Sequence, residues 1–132
     1  MITIDPVLAF GQHLLTGVAF LAIFLLVYIW VTPHKEVTLI RAGNGPAALG
    51  LMGAVVGFSI ALSRAIEVST FLAEAAIWAT IALVAQIVAQ FIAQLAFPKL
   101  YSAIEDNVWA AAIVKAGLAV SVGLINAACM TP

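Results

Sequence analysis

Lys115 is the one charge in the apolar run 107–128. It falls about 12 Å along a helix from Asn107, a few Å short of the middle of a bilayer. An ammonium at that depth costs at least about 2.5 kcal/mol and is tolerated inside a bundle, beside trapped water, or where it reaches back to the headgroups. Two placements follow. In one the stem lies along Ala111 and the ammonium snorkels to the cytoplasmic interface. In the other it faces inward near the depth of Gln86 and Gln90, whose carbonyls solvate it. Those two belong to a row, Gln86, Gln90 and Gln94, spaced four residues apart with Ala85, Ala89 and Ala93 beside them. Residues so spaced share one helix stripe. A carboxamide in hydrocarbon without a partner costs several kcal/mol, so the stripe is expected to turn toward other helices and the Leu, Ile, Val and Phe face toward lipid.

Depth counted by helix rise sets His13, Ser59, Thr80 and Ser121 about 7 to 11 Å from the outer face, one on each of four helices. With Gln86, Gln90, Lys115 and Gln94 below them they outline an interrupted polar line across the bundle. A proton or ion path has this composition, with His13 as a titratable member. Ordinary hydrogen bonding has it too, because serine and threonine in membrane helices commonly bond their own backbone. No catalytic constellation accompanies the line. Asp5, Glu36, Glu67, Glu74, Glu105 and Asp106 all fall in loops or at helix ends. His13 and His34 lie near opposite faces and cannot share a metal, His34 reading as an interfacial residue. The single Cys129 excludes an internal disulfide framework. Neither an enzyme nor a cofactor or metal site is expected.

Four apolar spans position these residues, at about 7–31, 46–63, 75–97 and 107–128. At about 1.5 Å per residue, the span 75–97 rises roughly 34 Å, enough to cross a hydrocarbon core. Asp5 and Pro6 offer an N-cap and first helical residue for the first span, and Tyr28 and Trp30 sit at its far end, where amphipathic rings favour headgroups. The second and fourth spans carry small-residue ridges, Gly53, Gly57 and Ala61 in one and Ala119, Gly123 and Ala127 in the other, which let helix backbones approach closely. Between spans, 37–40 suits a short interfacial helix, 64–74 is a polar connection with Arg64 and Glu67 three apart, and 99–106 is a loop. Asp106 or Asn107 caps the last span.

Composition agrees with this reading. Of the 132 residues 65% are hydrophobic and 8% charged, against about 25% charged in soluble domains. Five Lys plus Arg against six Asp plus Glu leave a net charge of -1, which gives nucleic acid no basic field to meet. The first apolar run is expected to be a retained span and not a signal peptide, since Asp5 is the only charge before it and no small-x-small site precedes Pro33. Lys35, Arg41 and Lys99 flank the spans on one side and Arg64 on the other, so both termini are expected on the outer, periplasmic side of an inner membrane.

Thr32, Pro33 … Asn44 with Ala47 and Ala48 is echoed by Phe97, Pro98 … Asn107 with Ala110 and Ala111. The fold class expected is therefore an all-α membrane protein, a single domain over 1–132 of four transmembrane helices, arranged as two helical hairpins in parallel repeat. Thr32-Pro33-His34 after a long helix, Asn44 with Ala47 and Ala48 opening a glycine-rich helix, and the ending from Gly123 to Thr131 resemble the YjfL-like family of small bacterial inner-membrane proteins, a family without assigned function. The similarity spans essentially the whole chain. It implies location and topology, and through the family's gene neighbourhoods a membrane-stress protein as partner and a role in envelope stress. Lys115 belongs to no family pattern. Beyond membrane lipid, a homo-oligomer is expected, because the glycine and alanine faces exceed what four helices need to pack. Two functions result: an oligomeric scaffold or sensor, or a channel or small permease conducting protons, ions or a small cation.

Overall fold

The computed structural model describes residues 4–32 and 36–131. Among them the chain forms six helices and no strand: α1 (Ile4–Val31), α2 (Glu36–Arg41), α3 (Gly45–Glu67), α4 (Leu72–Ala96), α5 (Pro98–Glu105) and α6 (Trp109–Cys129). Four of these, α1, α3, α4 and α6, are long and apolar enough to span a membrane. The two halves present the same order, a long helix, a short one and a long one.

Local chemistry explains most boundaries. Asn44 caps α3 by accepting from the Ala47 amide at 2.9 Å, and Pro46 follows in the first turn, where its missing N–H costs nothing. The third span begins earlier than residue 75 because Glu74 reaches back to accept from the Thr70 amide at 3.2 Å. Residues 99–106 are mostly helix and not loop. Pro98 starts α5, and Tyr101 and Ile104, three apart, bury one side of it. Asn107 ends that helix with φ 66°, a left-handed conformation that asparagine tolerates. It therefore does not cap α6, whose N-cap is Val108 without a side-chain bond. Asp5 lies inside the first turn of α1 and is not its cap. The connection after the second span is shorter than 64–74 because α3 runs on to Glu67. Arg64 and Glu67 stand 3.6 Å apart there, with the glutamate side chain 71% exposed, so their attraction contributes little.

The core sits where α1, α3 and α4 meet. Phe24 stacks on Phe58 with centroids 4.5 Å apart, and Tyr28, Leu51, Ala61, Ala65, Ala79 and Ala82 close around them. α3 and α6 form the closest pair. Gly53 lies on Ala116, and Gly57 lies on Ala119 and Gly123. Contacts advance together along both helices, so these two run parallel. A Cβ on Gly57 or Gly123 would meet the carbonyl group of Ala119 or of Gly57, which leaves glycine the only residue for either position. Ala61 is fully buried, while Ala127 at the end of α6 is half-buried.

A buried ion pair as candidate functional site

Lys115 sits in the seventh position of α6, about 9 Å in from that helix's start. It faces inward. Its Nζ donates to Glu36 Oε1 at 2.9 Å, and the two side chains are 3% and 0% exposed. α2 exists to make this possible: six residues long, it tucks its first residue into the bundle while Val37 and Thr38 stay outside. Three further elements complete the surroundings. The ammonium lies 5.0 Å from the Tyr28 ring centroid on α1 and 4.9 Å from that of Tyr101 on α5, within cation–π range. On the α3 side Gly50 leaves room for the lysine stem, since a Cβ there would stand 3.2 Å from Lys115 Cδ.

Of the two placements open to Lys115, the inward one holds, and its charge partner is a carboxylate. Snorkelling past Ala111 does not occur. Glu36 does not belong with the solvated loop acids, and Tyr28, 1% exposed, is not a headgroup residue like Trp30, which is 86% exposed. Burial of this kind needs strong compensation, because an uncompensated ion in a low-dielectric interior costs several kcal/mol. The geometry supplies it as one short charge-assisted bond and two aromatic faces.

The glutamine row points inward and each member finds its own acceptor. Gln86 Nε2 donates to the Ala119 carbonyl of α6 at 2.9 Å, and Gln90 Nε2 to the Tyr101 hydroxyl at 2.7 Å. Gln94 Nε2 stands 3.5 Å from the Val31 carbonyl of α1, at the limit of a hydrogen bond. Burial, followed by the Glu36 charge, pushes the Tyr101 phenol up to about 12, against the opposing bonds from Gln94 and Gln90. Tyr101 therefore stays neutral.

Beside the ion pair lies a cavity of about 40 Å³ between α1, α3, α4 and α6, lined by Lys115, Gln86, Gln90, Tyr28, Phe24 and Ala89 among others. It has room for roughly two or three waters. Gln86 Oε1 is buried and accepts no hydrogen bond among the described residues. Since the other end of that carboxamide is committed to Ala119, the acceptor is fixed in place.

The structure thus brings Lys115, Gln86 and Gln90 together and leaves the outer polar residues apart. His13 Nδ1 lies 2.7 Å from the Ala9 carbonyl, and the Thr80 and Ser121 hydroxyls donate to Ala76 and Gly117 at 2.8 Å each. All three partners are one turn back on the same helix. Ser59 is half-buried, and none of the four lines the cavity. His34, with Pro33 and Lys35, lies outside the described residues.

Sequence reasoning missed Glu36, Tyr28 and Tyr101 as neighbours of the lysine. The available signal was indirect and did not single out Glu36: a membrane-depth ammonium demands a counter-charge, but Glu105 and Asp106 have at least as many apolar neighbours in sequence. Asn44 also does more than cap. Its Nδ2 donates to the Ile104 carbonyl at 3.0 Å, tying the start of α3 to the end of α5.

Two relatives, the UPF0719 inner membrane protein YjfL of Escherichia coli K12 and that of E. coli O157:H7, are each 36% identical over 128 residues, covering 97% of this chain and 97% of theirs. No solved structure matches. The model of the family described as Domain of Unknown Function (DUF350) matches residues 1–130. With near-complete coverage by that model and four helices able to cross a bilayer, the chain belongs to the DUF350 family and is a multi-pass membrane protein.

Proposed function

We propose that this protein is a small inner-membrane permease for protons and small monovalent cations, with both termini on the periplasmic side. The observation that carries the reading is the Glu36–Lys115 pair, buried within the bundle next to a cavity that Lys115, Gln86 and Gln90 line. Ionisable side chains at membrane depth are expensive to bury and characteristically mark ion or proton pathways. A purely structural role has cheaper solutions, because apolar residues of similar volume would pack the same space as stably or more so. The localisation follows the printed description of the two E. coli relatives.

The scaffold or sensor reading rested on small-residue faces left over for other copies. Gly53, Gly57 and Gly123 face one another's helices inside a single chain, so that argument loses weight and the ion pair gains it.

Reconstitution tests the permease. Proteoliposomes are expected to take up radioactive rubidium above protein-free vesicles, with uptake lost in Glu36→Gln. Vesicles that pass neither rubidium, sodium, ammonium nor protons above background would remove the reading.

A further inference from the structure

We infer that the Glu36–Lys115 pair trades its proton for one weakly hydrated monovalent cation of the potassium or ammonium type, so that cation and proton cross in opposite directions with no net charge. This rests on the permease reading.

The place now held by the lysine ammonium is already a cation site. It has a carboxylate oxygen at 2.9 Å and two tyrosine faces at 5.0 and 4.9 Å. Carboxylate plus aromatic faces suits a compact monovalent ion that sheds its water readily. A divalent ion opposite the single Glu36 carboxylate would leave one uncompensated positive charge in the buried site.

An incoming cation cannot share one buried carboxylate with a second positive charge, so Lys115 must neutralise. One Nζ–H bond breaks, the electron pair stays on nitrogen, and the proton leaves on a water molecule. The cation takes the vacated position beside Glu36. Glu36 with protonated lysine sums to zero, and so does Glu36 with the cation and a neutral amine.

The displaced amine has a destination. Lys115 lines the adjoining cavity with Gln86 and Gln90, and the Gln86 carboxamide carries a buried oxygen that accepts no hydrogen bond among the described residues. Among the described residues nothing else that faces Lys115 takes over the charge: α1 contributes Tyr28, α5 Tyr101, α4 the neutral glutamines and α3 Gly50 and Ala54.

Rubidium binding to the full chain in nanodiscs, measured across a pH series, reads the exchange directly. One proton released per cation bound means that apparent affinity falls about tenfold for each pH unit downward. Potassium and ammonium are expected to displace rubidium, sodium less well, and Glu36→Gln to bind none of them. In proteoliposomes a potassium gradient should drive protons the other way while a potential-sensitive dye stays silent. Binding independent of pH in the wild type, or flux that charges the membrane, overturns the exchange and leaves the permease standing. Sodium binding as tightly as rubidium overturns the ion class. Absence of any flux removes both. The wild-type pH slope decides the matter even where Glu36→Gln fails to fold.

Discussion

Truncating one member of the ion pair is the sharpest perturbation available to stability. At 2.9 Å and an effective dielectric of 20, the Coulomb attraction is about 6 kcal/mol, of which desolvation of the two ions cancels most. The cost of cutting one partner is set by what remains. Lys115→Met leaves the Glu36 carboxylate, 0% exposed, without its counter-charge, which calls for a loss of about 3 to 5 kcal/mol. Glu36→Gln strands the ammonium and should cost a similar amount. The double variant, with no charge left to strand, is expected to be more stable than either single, giving a coupling of at least about 3 kcal/mol. Unfolding in mixed micelles with rising SDS, followed by tryptophan fluorescence without added potassium, measures all four corners of the cycle. Single variants that lose less than about 1 kcal/mol, or losses that simply add, would refute the premise that this pair is desolvated.

Gly57→Leu drives a side chain into the Ala119 carbonyl and should cost at least about 3 kcal/mol or abolish folding; Gly117→Ala, with open space around it, should be neutral or slightly stabilising in the same assay. Asn44→Ala removes both a cap and the bond to Ile104, a loss of about 2 kcal/mol, whereas Asn44→Asp keeps the cap and forfeits only the donor. In a Tyr28→Phe background, phenolate absorbance should report Tyr101 titrating near 12. Because the folded value lies above the unfolded value of about 10, the associated stability is whole below pH 10 and is lost as pH rises toward 12. Cys129, exposed near the C-terminus, should react with an impermeant maleimide from the periplasmic side of spheroplasts, and labelling only after lysis would reverse the topology.

The four spans and the inward turn of the glutamine row were legible because apolar length and four-residue spacing are local properties of the chain. The depth of Lys115 was legible for the same reason. Its partner was not: Glu36 lies 79 residues away, just ahead of the stretch 37–40 that suited a short interfacial helix, and a charge between Lys35 and Arg41 reads as solvated. α5 was hidden likewise, since eight residues carry too short a pattern to separate helix from loop. The parallel seam of α3 and α6 was half visible. Each glycine ridge stood out alone, yet which ridge meets which depends on the path of the chain through space and not on either segment.

The span of 79 residues between the two charges also bears on how the protein is made. A ribosome delivers α2 to the translocon well before α6, so Glu36 enters the lipid boundary with its counter-ion still unsynthesised. Until the last helix arrives, that carboxylate lacks the Lys115 counter-charge, and its burial in lipid stays costly. A chain that ended before α6 would hold Glu36 without the ammonium that neutralises it in the finished fold.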